Sequence, residues 1–428
     1  VIVDVGNADV LLAWERGLNL GHLVRVQATV WRLQAQRLRV TLAVSPAIAA
    51  RYGAELKTLS CEQFVVREPR HSMGWCAPMQ LSSFAGVLAA QGWTDGPWLT
   101  GALAAWQRLF SVVKPACVVL DYAPLACLTA WLSGVPALHV SSGFDAPPPD
   151  HTGIGRFRSS TGEVSAAEMA ETTSVNTILH QVLRSFGTRR NIRLRDLFSY
   201  PRLLLDCIPQ TDPYGCRVGE VYAPFFSEPG KPHAAHWPES VAGQEVYRIF
   251  VYIRENAIAP SLLTCLLQAS NSVVCFWPDH DSSMYDRHTQ GLVIHTEPVE
   301  LHPLFETASL IVGYGSVGIS TRAVLANVPQ LIFPTDLEKQ MVGRRIQKQG
   351  LGICLEPGWD ASALQQAYER LRFDEGWSRR SAAIGAHTLG QRVGVDYFGE
   401  VLSFVESALM QAQAGTRSGA VVESNKNV

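Results

Sequence analysis

Leu310-Ile-Val-Gly-Tyr-Gly-Ser-Val-Gly-Ile-Ser-Thr-Arg-Ala-Val-Leu-Ala-Asn-Val-Pro-Gln-Leu-Ile-Phe-Pro334 decides how this chain is read. An apolar run, Leu310 to Val312, ends at glycine, as a buried strand does. Gly313, Gly315 and Gly318 follow within six residues. Helical character runs from Ser320 to Ala326, with Asn327 as a left-handed stop. Gln330 to Phe333 reads as strand again, and Pro334 ends it. Glycines ahead of a helix let backbone N–H groups approach an anion, and the helix dipole favours negative charge there. The same pattern also suits an ordinary strand-to-helix turn, so the glycines alone leave both readings open.

The pattern recurs upstream. Val10 to Trp14 reads as a strand leading into the glycine-spaced turn Glu15-Arg-Gly17-Leu-Asn-Leu-Gly21-His22, then a helix over Leu23 to Gln36 and a strand over Leu38 to Ser45. Ala116 to Leu120 is a strand ending at Asp121, followed by a helix over Leu125 to Leu132, the turn Gly134-Val-Pro136 and the strand Ala137 to Val140. Strands alternating with helices predict an α/β fold with parallel, doubly wound sheets. Residues 145–240 read as less regular, with Pro147, Pro148 and Pro149 in a row and a loop over Pro229 to Trp237. A second series follows: a strand over Val246 to Ile253, a helix near Ser261 to Ser270, strands at Ser272 to Trp277 and Leu292 to His295, and a helix over Glu338 to Gly350. The expected division is 1–240 and 241–395, a C-terminal helix over 396–413 that packs back on the first domain, and a disordered tail over 414–428. Two doubly wound halves joined by a linker imply a cleft between them, with ligands at the carboxyl ends of the strands.

Composition narrows the function. The chain has 428 residues, 47% hydrophobic, with a formal net charge of −2. That size suits more than one domain, and the charge gives no pull toward nucleic acid. No apolar run of about 20 residues occurs, so no transmembrane helix is expected, and peripheral contact with a membrane is left open. The start shows no basic segment leading into an apolar run, so no signal peptide is expected. The nine cysteines are scattered and none forms a CxxC pair, which points to a reducing, cytoplasmic setting. The histidines His233, His236, His280, His295 and His302 lack metal-ligand spacing on one element, so no protein-bound metal is expected.

Three blocks resemble those of GT-B glycosyltransferases, the nucleotide-sugar-dependent enzymes that glycosylate small acceptors. They are Ala13-Trp-Glu-Arg-Gly17-Leu-Asn-Leu-Gly21-His22-Leu, then Val119-Leu-Asp121-Tyr-Ala-Pro124 continuing to Ser142-Gly143-Phe144, then the opening stretch extended through Glu338-Lys-Gln340 to Gly352. The resemblance implies GT-B architecture: two Rossmann-like domains facing a central cleft, the first binding acceptor and the second the nucleotide-sugar. It implies His22 as general base for the acceptor hydroxyl, oriented by Asp121; positioned bases of this kind accelerate reactions by about 10²–10⁴-fold. Either residue also has a local explanation, a helix-start histidine for His22 and a helix cap for Asp121.

On the same resemblance the donor is held by Gly315, Ser316 and Gly318, by Tyr314 in place of the family's histidine, and by Arg254. Val299 lies where the base meets backbone, and Glu338 and Gln340 lie near the acid–glutamine pair that holds sugar hydroxyls. The sequence departs from the family at Tyr314, Ser316, Ile319 and Lys339. Gly21, Trp75 and Phe144 are the expected acceptor contacts. The implied reaction is inverting transfer from a UDP- or dTDP-sugar, a co-substrate rather than a cofactor, to a hydroxyl of a small apolar or lipid acceptor. Two other readings stand beside it: a non-catalytic sugar-nucleotide-binding or partner protein, favoured by the departures, and a sugar-nucleotide epimerase or hydrolase. A dinucleotide-dependent oxidoreductase is disfavoured, because no GxGxxG turn opens the first strand–helix unit.

Overall fold

The computed structural model describes residues 9–68, 81–149, 155–157, 164–188, 192–226, 232–238, 246–254, 258–267, 271–280, 290–373, 376–377, 379–380 and 395–424. By contact density the chain divides into two compact units: 1–206 with 219–225 and 395–428, and 207–218 with 226–394. The chain therefore passes between units several times, and its last helix returns to the first.

In unit 1 the elements are β1 (Asp9–Trp14), α1 (Leu20–Ala35), β2 (Arg39–Val44), α2 (Pro46–Leu56), β3 (Glu62–Val65), α3 (Phe84–Leu88), α4 (Gly96–Val113), β4 (Cys117–Asp121), α5 (Pro124–Ser133), β5 (Ala137–Ser141), α6 (Ala166–Ser185), α7 (Leu194–Phe198), β6 (Arg202–Leu205) and β7 (Val221–Tyr222). Unit 2 carries β8 (Tyr247–Tyr252), α8 (Ala259–Leu266), β9 (Asn271–Phe276), β10 (Leu292–His295), α9 (Leu301–Thr307), β11 (Leu310–Gly313), α10 (Val317–Leu325), β12 (Gln330–Ile332), α11 (Leu337–Lys348), β13 (Gly352–Cys354) and α12 (Ala361–Phe373). The final helix, α13, spans Tyr397–Ser424. It runs past the expected end at Gln413; no proline interrupts Ala414 to Ser424, and its alanines, arginine and glutamate tolerate helix.

Both sheets are wholly parallel, in the orders β3-β2-β1-β4-β5-β6-β7 and β10-β9-β8-β11-β12-β13. Each order reverses beside its first strand, between β1 and β4 and between β8 and β11. At such a reversal neighbouring crossovers diverge and leave a crevice at the strand carboxyl ends. The α/β, doubly wound reading of the sequence thus holds in both units.

The strands form because they bury apolar residues on both faces, as central parallel strands must. Val10, Leu11, Leu12, Ala13 and Trp14 of β1 are all buried, and so is every residue of β4. Helix α1 carries two buried stripes at helical spacing. Leu23, Val26, Val30 and Leu33 pack on the sheet, while His22, Arg25 and Thr29 form a buried polar stripe. The C-terminal helix joins the same core through Tyr397, Val401, Phe404, Val405, Ala408 and Leu409.

The region read as irregular is more ordered than its prolines suggested. It contains α6, α7, β6 and β7. Ser165 accepts from Glu168 N–H at 3.2 Å while the Glu168 carboxylate accepts from Ser165 N–H at 2.8 Å, a reciprocal cap that the Ser165-Ala-Ala-Glu168 spacing encodes.

In the opening stretch α10 starts at Val317, earlier than the Ser320 expected. Ser316 has extended backbone (φ −63°, ψ 138°) and is the last residue before the helix, so Gly318 belongs to the first turn. Asn327 does adopt the left-handed conformation, with φ 61°.

Candidate active site

His22 sits in the first turn of α1, and Asp121 is the last residue of β4, in register with Trp14 of β1. The reversal between these strands brings the two side chains together. His22 Nδ1 lies 2.5 Å from Asp121 Oδ1. A buried carboxylate only accepts, so Nδ1 carries the proton and Nε2 is the basic nitrogen. The ring is stacked on Trp14, with centroids 6.1 Å apart, and tilted against Tyr122 at 6.5 Å. No hydrogen-bond partner for Nε2 occurs among the described residues.

Gly17 explains how Nε2 keeps its place. Its φ is +82°, and a β-carbon there would lie 2.3 Å from Nε2. Only glycine accepts both the left-handed backbone and the ring above it.

Asp121 also takes a fork from Arg25, one helical turn beyond His22. Arg25 Nε donates to Oδ2 at 2.8 Å and an Nη to Oδ1 at 2.9 Å. The other Nη donates to Asp206 Oδ2 at 2.9 Å, and Asp206 Oδ1 accepts from Phe225 N–H at 2.6 Å. Burial works against ionisation of Asp121, but the charges of Arg25 and His22 outweigh it and hold the carboxyl well below the usual range. For His22, burial disfavours the charged ring, yet the Asp121 charge and hydrogen bond prevail and the pKa is raised. Asp206 is pushed upward by burial, with Arg25 opposing. Asp145, held by His139 at 2.9 Å and Ser141 at 2.5 Å, adds a more distant negative charge that favours the protonated His22.

An aromatic wall continues from the dyad. Tyr122 meets Phe84 at 6.3 Å, and Phe84 meets Phe144 at 5.6 Å and Phe198 at 5.5 Å. Tyr122 has left-handed backbone, φ 43°, immediately after Asp121, a strained placement for a bulky residue. Phe144, expected at the acceptor, is buried in this wall. Gly21 is exposed, with open space where a β-carbon would stand. Trp75 lies outside the described residues.

Below the dyad, Glu15 is wholly buried, and its carboxyl accepts from Leu125 N–H at 3.2 Å and Ala126 N–H at 2.6 Å, at the start of α5. Burial first and Glu68 second push this carboxyl up to about 8, against the pull of Arg16 and the two N–H groups.

In unit 2 the reversal lies between β8 and β11. Tyr314 follows directly on β11. Its side chain is buried in the core with Tyr252, and its hydroxyl accepts from Arg254 N–H at 2.5 Å. A phenol is long enough to reach across to the neighbouring strand end, and an apolar environment around its ring favours that orientation. The Arg254 guanidinium lies 3.7 Å from Asp279, an exposed carboxylate. Gly315 has φ +84°, and a β-carbon there would meet Ile332 at 2.8 Å and Lys339 O at 3.0 Å, so close packing on β12 and α11 requires this glycine. Gly318 is exposed with open space around it. Ser316 caps no N–H of α10, and no side chain among the described residues accepts from Val317, Gly318 or Ile319 N–H.

Gln340 is buried on α11. Its amide donates to Glu356, which also accepts from Arg344 Nε at 2.6 Å. Glu338 occupies the first turn of α11, half-buried. Val299 is buried, and His233 bridges it by donating to Pro298 O at 2.9 Å and accepting from Glu300 N–H at 3.0 Å. By the alternation of a strand, Val299's own N–H and C=O face the opposite side. Among the described residues no group of three or more His, Cys, Asp or Glu is placed to hold a metal ion, and no helix is long and apolar enough to cross a membrane.

Arg25, Asp206, Asp145 and Tyr122 were not singled out in the sequence. Arg25 had a readable signal, its i+3 spacing from His22 on a helix. Asp206 had none, because β6 was not recognised.

No family model and no curated protein matches the chain. Solved structures do. CalG4, the calicheamicin glycosyltransferase, superposes with a TM-score of 0.68 over 94% of this chain and 98% of its own, at 17% identity. Glycosyltransferase VinC, in complex with dTDP, gives 0.65 over 94% and 100%, at 14% identity. SnogD from Streptomyces nogalater gives 0.60 over 93% and 99%, at 16% identity. At these identities the likeness is one of fold, and it extends over nearly the whole of both chains: this protein has the GT-B fold of those glycosyltransferases.

Proposed function

We propose that the chain is an inverting glycosyltransferase that moves a sugar from a UDP- or dTDP-sugar to a hydroxyl of a small apolar acceptor. The observation that carries the reading is the His22–Asp121 pair at the strand reversal of unit 1, with Nδ1 committed to the carboxylate and Nε2 on the other edge of the ring. His22 Nε2 takes the proton of the acceptor hydroxyl while its oxygen attacks the anomeric carbon. The bond from that carbon to the diphosphate oxygen breaks on the opposite face, and the imidazolium is stabilised by Asp121. The aromatic wall of Tyr122, Phe84 and Phe144 suits an apolar acceptor. In unit 2 the N–H groups of Val317, Gly318 and Ile319 and the dipole of α10 are suited to the departing diphosphate, with Ser316 able to donate a hydroxyl. Val299's backbone is suited to the nucleotide base. VinC is a structure with dTDP bound, which favours a nucleoside diphosphate here.

One observation favours a second reading, a sugar-nucleotide-binding protein without turnover. The Tyr314 hydroxyl and the Gln340 amide, two expected donor contacts, are engaged within unit 2. Calorimetry with dTDP and UDP, followed by transfer assays on the parent and on His22→Ala, separates the readings. The transferase predicts nucleotide binding in both proteins and turnover only in the parent. Binding with no turnover in either supports the second reading, and no binding at millimolar nucleotide defeats both.

A further inference from the structure

Arg25 touches no reacting atom in the mechanism above, yet it is more heavily tied than any other side chain around His22. It lies in the buried polar stripe of α1, grips both oxygens of Asp121, and is pinned from the other side by Asp206. Thr29, the next member of the stripe, meets the Tyr397 hydroxyl of α13 at 3.2 Å. The Arg25 nitrogen that reaches Asp121 Oδ1 is also 3.1 Å from His22 Nδ1. Because Nδ1 already gives its proton to Asp121, this nitrogen donates nothing to the ring and acts on it through charge alone.

We propose that Arg25 is a positioning residue for the base: held between Asp121 and Asp206, its guanidinium fixes the Asp121 carboxylate against the Nδ1–H of His22 and sets a permanent positive charge beside the imidazole. The inference rests on His22 as the base of the transfer reaction. A lone buried carboxylate behind a histidine makes the ring take up a proton and retain it. A cation sharing that carboxylate opposes retention, so the ring returns to its neutral form after each proton transfer. The charged or titratable groups around the ring are Asp121 at the end of β4, Tyr122 after it, Arg25 on α1 and Asp145 after β5. Asp206 and Tyr397 face Arg25 from its far side. Arg25 works against the charged ring, and Asp121 and Asp145 work for it.

The test is an NMR titration of the His22 ring in the full chain without donor or acceptor, the signal being assigned by its loss in His22→Gln. In Arg25→Met the midpoint moves up by about one unit, a tenfold rise in proton affinity, once the opposing charge is gone. In Arg25→Lys, which keeps the charge without the fork, it stays within a few tenths of a unit of the parent. Arg25→Met leaves Asp206 buried beside no cation and risks misfolding. The double variant Arg25→Met/Asp206→Asn removes cation and surplus carboxylate together and is expected to show the same upward shift. A midpoint unmoved or lowered in the folded Met variants overturns the proposal, as does a Lys variant that shifts as far as Met. The titration uses no sugar, so its failure is told apart from the failure of the preceding reading, which the transfer assays alone detect.

Discussion

Replacing Gly17 by alanine adds one methyl group directly against the basic nitrogen of His22. The new carbon would stand 2.3 Å from Nε2, 2.7 Å from Cδ2 and 2.8 Å from Cε1, whereas ordinary contact begins near 3.4 Å. The ring must therefore retreat by about 1 Å to regain van der Waals distance. It has little freedom to do so, with Trp14 stacked beside it and Asp121 2.5 Å from Nδ1. A displacement of about 1 Å at a reacting group costs about 10²-fold in rate, or roughly 2.7 kcal/mol of barrier. Stability suffers as well: alanine at φ +82° costs about 1–2 kcal/mol, and pushing the buried ring aside adds about 1–3 kcal/mol. For a domain of this size that lowers the melting temperature by about 2–4 °C per kcal/mol, short of unfolding the protein at assay temperature. Steady-state transfer, dTDP affinity and thermal unfolding measured side by side separate the two effects. The expected pattern is a folded protein with parental dTDP affinity and kcat reduced about a hundredfold. A Gly17→Ala protein within about threefold of the parental kcat would show that the position of Nε2 does not govern transfer, and the base assignment would fall with it.

Two further outcomes follow from the same geometry. The raised pKa of His22 places the acid limb of the kcat/KM profile above the ordinary histidine value of about 6.5, with activity falling as pH drops through it; a limb at or below that value would refute the assignment. In folding the sign is reversed: the His22–Asp121 pairing contributes its full stability below the unfolded histidine value and loses it as pH rises through the folded one, which urea titrations at several pH values detect as a decline absent from His22→Gln. Tyr314→Phe leaves the Arg254 N–H without its acceptor and destabilises unit 2 by about 1–2 kcal/mol in denaturant unfolding. Unchanged stability would mean that this N–H finds water equally well.

The parts of the fold legible in the sequence are those where one local signal sufficed. Buried parallel strands such as Val10 to Trp14 and Leu310 to Val312 are short apolar runs closed by glycine or a turn, and helices between them fixed the doubly wound order. His22 and Asp121 were visible because each stands at the carboxyl end of such a strand or just past it. Arg25 was overlooked because it sits in a helix whose apolar residues drew the reading; the polar stripe His22, Arg25, Thr29 has the same spacing and is as deeply buried. Residues 165–205 were passed over because three prolines just upstream dominated the reading, although Ser165 and Glu168 announced a helix start. Tyr314 shows a different limit. Its place in the chain reads as a departure from the family pattern, but whether a phenol faces a ligand or reaches across to the next strand depends on the neighbouring backbone, and here Arg254 N–H takes it.

The carboxyl of Glu15 makes the two halves of this molecule unlike at the same place in their topology. Each half has the same strand reversal and a helix opening beside it, α5 in the first and α10 in the second, so each inherits the same electropositive socket. The residue one place past the first strand is Glu15 in one half and Ile253 in the other. In the first half the chain supplies its own tenant: the Glu15 carboxyl accepts from the Leu125 and Ala126 N–H groups and fills that socket. The isoleucine has nothing to plug with. On the proposed function, a single side chain divides labour between two scaffolds of the same winding, filling the α5 opening from within and leaving that of α10 to an anion.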